Sequence, residues 1–173
     1  MKASAILTLF CLFFSVSFAQ IKPKIPVASP ADSSMVTTSD GVTINLHYGS
    51  PSVKGRTVGV DIAPVGQRWR TGANATTTIS FDKDVLVNGQ KLAAGKYGLN
   101  TIPGEKETTV IFNKNWDQPG TKFDEAEDVL KFSVENQTGK TSMERLKISA
   151  DKTGKVKLGW GTYGFSFNVK ADK

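Results

Sequence analysis

The amino-acid sequence predicts an all-β fold: a β-sandwich, jelly-roll-like or Greek-key, of nine or ten short, mainly antiparallel strands. Three observations predict it. Apolar residues alternate with polar ones in several short stretches. Gly, Asn and Pro turns separate those stretches at strand-like intervals. No window sustains a helical period.

In chain order, Val42, Ile44, Leu46 and Tyr48 alternate with Thr43, Asn45 and His47, the pattern of a half-buried strand. Ala75 to Phe81 is Thr-rich, with Ile79 and Phe81 on one face. Val85 to Val87 runs into Asn88-Gly89, a two-residue hairpin signal. Lys96 to Ile102 ends at Pro103-Gly104, and Thr108 to Phe112 follows. Phe123–Glu127 suits one turn of helix. Val129 to Val134 and Arg145 to Ser149 read as strands, as do Lys155 to Trp160 and Tyr163 to Val169. Asp151 to Gly154 is a turn.

The N-terminus has a different character. Lys2 precedes an uncharged run from Ala3 to Phe18, closed by Ser17-Phe18-Ala19. This is the pattern of a cleavable secretory signal over residues 1–19. The apolar run is shorter than the roughly 20 residues that span a bilayer as a helix. Phe10 stands before Cys11 where a lipoprotein signal needs a small residue. Residues 20–40 carry Pro23, Pro26 and Pro30 and read as an extended linker, with an edge strand near Met35–Thr38. Residues 41–173 form the single sandwich domain.

Export has chemical consequences. Cutting 19 residues from 173 leaves 154, enough for one self-sufficient domain. Cys11 leaves with the leader, so the mature chain carries no disulfide, thiol chemistry or Cys-based zinc site. The net charge of +6 falls to about +5 without Lys2. The lysines are scattered, with no run of four, which argues against nucleic acid as a partner. The composition calls for no cofactor and no membrane span after cleavage. The expected destination is the periplasm, with release beyond the cell as the alternative.

Several motifs stand out: Tyr48-Gly-Ser-Pro-Ser-Val-Lys-Gly-Arg56, Gly66-Gln-Arg-Trp-Arg-Thr-Gly-Ala-Asn74, Ala94-Gly-Lys-Tyr97, Thr101-Ile-Pro-Gly104 and Ile111-Phe-Asn-Lys114. Together they resemble the DUF2911 family, exported bacterial proteins of unknown function. The resemblance covers about residues 40–170. It implies an exported β-rich domain, and it implies no activity and no catalytic residue.

Three of the four arginines lie between Arg56 and Arg70, and Trp69 sits between Arg68 and Arg70. Guanidinium groups bind carboxylate, phosphate or sulfate with a planar fork. If Trp69 points inward on extended backbone, both neighbouring arginines point to the opposite face. Two readings follow. In one, Arg56, Trp69, Arg70 and Asn74 bind a small polar or anionic ligand, a glycan fragment or another envelope component. In the other they are structural: Trp69 anchors the core, Arg70 pairs with a carboxylate, and Asn74 satisfies turn amides.

Weaker candidates complete the set. His47, the single histidine, suggests a hydrolase with Ser50 or Ser52 nearby, but no nucleophile elbow accompanies it. Asp124 to Asp128 is acidic but lacks the spacing of an EF-hand calcium loop. Asn74-Ala-Thr and Asn136-Gln-Thr match the glycosylation sequon.

Overall fold

The computed structural model describes residues 28–173, so the leader and residues 20–27 of the linker lie outside the described residues. Ten strands run in order: β1 (Ala31–Thr37), β2 (Thr43–Gly49), β3 (Thr78–Phe81), β4 (Val85–Val87), β5 (Gln90–Leu92), β6 (Gly95–Pro103), β7 (Glu107–Asn113), β8 (Asp128–Glu135), β9 (Gln137–Ala150) and β10 (Lys155–Ala171). One 3-10 turn, Glu125–Glu127, precedes β8. A six-stranded sheet has the order β1-β2-β3-β6-β7-β8, and a four-stranded sheet has β5-β4-β10-β9. The pairings between these strands are antiparallel.

The segment expected as linker ends sooner than residue 40. β1 pairs with β2 from Ala31↔Gly49 to Thr37↔Thr43. Pro23, Pro26 and Pro30 all precede Ala31, so no missing amide interrupts the ladder. At the β4–β5 hairpin, Asn88 and Gly89 both take positive φ, at 49° and 85°, the twist a two-residue connection needs.

β10 is long but not straight. Fifteen extended residues would span roughly 50 Å, yet the Val169 N–H donates to the Gly154 carbonyl at 2.8 Å. The chain therefore reverses within β10, at Gly161, where φ is 60°. The arms on either side are the two strands that the sequence suggests. β9 pairs with both arms: Lys147–Ala150 against Val156–Gly159, and Gln137–Thr138 against Tyr163–Gly164, with register shifts between.

The apolar faces of the two sheets meet in one core. Phe112 of β7 and Phe132 of β8 pack against Phe167 of β10, with ring centroids 5.9 and 5.8 Å from it. Such tilted pairs add to the stabilisation from burial. At another point of the interface, Trp160 of β10 stacks on Trp69, at 5.5 Å and 17°.

Candidate functional site

The Arg/Trp string is the natural starting point. Trp69 bridges to β6: its N–H donates to the Thr101 carbonyl at 2.8 Å, and the Thr101 N–H donates back at 2.9 Å. This extended pairing sends Trp69 toward the core, onto Trp160, and its indole N–H donates to the Gly72 carbonyl at 3.0 Å. Arg68 and Arg70 consequently lie on the outer face of the six-stranded sheet.

The carboxylate clamp expected of Arg70 belongs to Arg68. Its guanidinium donates to both oxygens of Asp128, at 2.9 and 2.7 Å. It also donates twice to Asn100 Oδ1 and lies 5.0 Å from the Phe123 ring centroid. The Arg68 and Asp128 side chains are only 9% and 14% exposed. Asn113 Nδ2 donates to Asp128 as well, at 2.7 Å. The group ties the loop before β8 to the sheet beneath it.

The predicted ligand-binding residues do not form one cluster. Arg56 is turned onto its own loop, donating to the Val53 carbonyl at 3.0 Å and the Ser52 carbonyl at 2.9 Å. Trp69 faces the core. Arg70 and Asn74 do adjoin each other. A Cβ on Gly120 would collide with the Arg70 side chain and come within 2.8 Å of the Asn74 carbonyl. Arg70 Nε is buried there with no hydrogen-bond partner among the described residues. Asn74 adopts a positive φ of 66° and donates to the Ser29 carbonyl at 3.1 Å.

His47 is exposed on the outer face of β2, opposite Ser33 and Thr78. It lines a hollow of about 220 Å³ with Asp32, Tyr48, Asn74 and Thr76. No acid orients its ring there, because the Asp32 oxygens accept from the Ser33 N–H and the Tyr48 hydroxyl, both at 2.8 Å. The Ser50 hydroxyl is buried and donates to the Leu146 carbonyl at 2.8 Å. In the acidic run, Asp124 caps the 3-10 turn and Asp128 holds Arg68. Among the described residues, no group of three or more His, Cys, Asp or Glu side chains is arranged to hold a metal. The Asn136 amide donates to the Gly104 carbonyl and accepts from the Thr108 hydroxyl.

A further shaped surface feature lies elsewhere, where β9 follows the reversal of β10. A groove of about 420 Å³ is lined by Thr138, Thr141, Met143, Lys147, Lys157, Thr162 and Tyr163. Its floor is glycine: Gly139, Gly159, Gly161 and Gly164. The Met143 sulfur lies over Gly159, where a Cβ would approach it to 2.7 Å. A second hollow of about 260 Å³ shares Gln137, Thr138, Thr162 and Tyr163 with the first and continues to Val60 and Val65. Val60 is 70% exposed, Val65 47% and Met143 39%, so the rim presents apolar surface to solvent. Burial pushes the Tyr163 phenol up to about 12, while its hydroxyl hydrogen-bonds Thr108.

The family model described as "Protein of unknown function (DUF2911)" matches residues 29–169. The chain belongs to that family. No curated protein and no solved structure matches the chain. The DUF2911 match begins just before β1 and ends within β10, so it embraces both sheets, the Arg68–Asp128 clamp and the groove. Sequence reasoning passes over two features of this DUF2911 domain. Arg68 and Asp128 are 60 residues apart, and no local pattern links them. The groove leaves one trace: Gly159, Gly161 and Gly164 fall inside an otherwise strong strand pattern, where glycine often marks a bulge or a close approach.

Proposed function

We propose that this DUF2911 chain is an exported, non-catalytic binding module that takes its ligand or envelope partner in the β9–β10 groove. The Arg/Trp string then serves to hold the fold. The observation that carries this reading is the groove itself, two continuous hollows floored by glycine and rimmed by exposed Val60, Val65 and Met143. Register shifts and strand glycines weaken a sheet, and they recur where a ligand approaches closely. The uncharged run and small residues ahead of Gln20 support export to the periplasm, with release beyond the cell as the alternative.

The test uses the processed protein purified from the cell envelope. N-terminal sequencing should begin at Gln20. A thermal-shift screen of sugars, anions and cell-wall fragments should find compounds that raise the melting temperature, since anything binding only the folded state must do so. Thr162→Trp, which fills the groove from an exposed position, should abolish the shift. A broad screen with no shift contradicts the reading.

One observation favours a second site for a small anion: the buried Arg70 Nε has no hydrogen-bond partner among the described residues and lies beside Asn74. Phosphate or sulfate would then raise the melting temperature of the wild-type protein and not of Arg70→Ala.

A further inference from the structure

We infer that the ligand of the β9–β10 groove is an acidic polysaccharide, an inference that rests on the groove being the binding site. The lining of the 420 Å³ groove contains no Asp or Glu, and its only charged groups are Lys147 and Lys157. The pairs Gly159↔Lys147 and Lys157↔Ser149 place both lysines on one face, on diagonal positions, alternating with buried Leu158 and Ile148. Two like charges so close oppose folding. Asp151 offsets one of them, at 3.3 Å from Lys157. Lys147 has no carboxylate partner among the described residues.

The rest of the lining suits a sugar. Thr138, Thr141, Ser149 and Thr162 offer hydroxyls that both donate and accept, which matches alternating sugar hydroxyls. The glycine floor and Met143 offer a low apolar surface for the C–H faces of pyranose rings. The continuation past Thr162 toward Val60 gives the groove length, which a polymer uses and a single small anion does not; its one carboxylate, Glu105, places the acidic groups of the polymer at the Lys147 and Lys157 end. β9 is the outer strand of its sheet, but Lys147 and Lys157 stand on the sheet face and not along the edge where strand addition places a peptide. A nucleic-acid strand needs exposed aromatic platforms, and the Tyr163 hydroxyl is turned inward to Thr108.

The experiment titrates the processed protein by calorimetry with oligogalacturonate and with the same oligomer methyl-esterified, which removes the charge and keeps the backbone. The acidic oligomer should bind, more weakly as salt rises. Lys147→Gln, a surface change that does not lower the melting temperature, should weaken it about tenfold, the worth of one charge-assisted hydrogen bond. Esterification should weaken it at least as much. Equal binding of both oligomers, with no effect of Lys147→Gln but loss in Thr162→Trp, overturns the acidic assignment and leaves the groove standing. Binding of neither oligomer, or groove-dependent binding of polyglutamate instead, also overturns the assignment. Binding that Thr162→Trp leaves untouched overturns the groove reading itself.

Discussion

Arg68 shows how one side chain holds a long loop. Its guanidinium fork is matched by Asp128 and Asn100, and the set is largely buried. Arg68→Ala leaves the Asp128 carboxylate buried against Asn113 alone and should cost about 3 kcal/mol in urea unfolding. Arg70→Ala, which breaks no ion pair among the described residues, should cost under about 1 kcal/mol. Arg56→Ala removes two bonds to backbone carbonyls and should cost about 1 kcal/mol. The reverse order for Arg68 and Arg70 would contradict this assignment. The alternation around Trp69 was legible in the sequence, and with it the shared face of the two arginines. Which arginine meets the carboxylate was not, because the partner is set by tertiary packing. Tyrosine burial makes a separate prediction. The phenols of Tyr48 and Tyr163 are pushed from 10 up to about 12, chiefly by burial. Their folded-state values lie above the unfolded one, so their contribution is intact below pH 10 and is lost as pH rises toward 12. Phenolate absorbance of these two residues should therefore appear together with alkaline unfolding. Titration near pH 10 in a still-folded protein would contradict their burial.

At the scale of elements, the turn from β9 into β10 is closely held. Asp151 accepts from the Thr153 and Lys155 amides, at 3.0 and 3.2 Å, and from the Thr153 hydroxyl. These bonds hold its carboxyl down at about 2, the Thr153 hydroxyl contributing most. Gly154 has a φ of 80°, and a Cβ there would collide with the Val169 carbonyl. Gly154→Ala should cost on the order of 3 kcal/mol by urea unfolding, from strain plus collision. A change under about 0.5 kcal/mol would show that the two arms of β10 are not held together at that point. The sequence announces this turn, the Asn88-Gly89 hairpin and both arms of β10 through alternation and turn residues. It announces only the end of β9. From Gln137 to Arg145 the strand is exposed on both faces, so no apolar alternation marks it. β1 is similarly quiet: an edge strand with polar residues on both sides, directly after a Pro-rich stretch.

For the whole molecule, the sandwich is legible because each inner strand carries a period-two apolar face, and those faces can be buried only against one another. The neighbours β3–β6 and β4–β10 are not legible, since the chain crosses between sheets before each pairing is made. The groove is hidden as well. It arises where β9 pairs with both arms of a reversed strand, and only the strand glycines hint at it. The proposed function divides the molecule into an arginine-clamped loop that stabilises and a glycine-floored groove proposed to bind. Hydrogen exchange of the processed protein, with and without a ligand found in the screen, tests that division most directly. The account predicts added protection at Gln137–Met143 and Gly159–Gly164, with Arg68–Thr77 unchanged. Protection confined to Arg68–Thr77, with the groove strands unaffected, would contradict it.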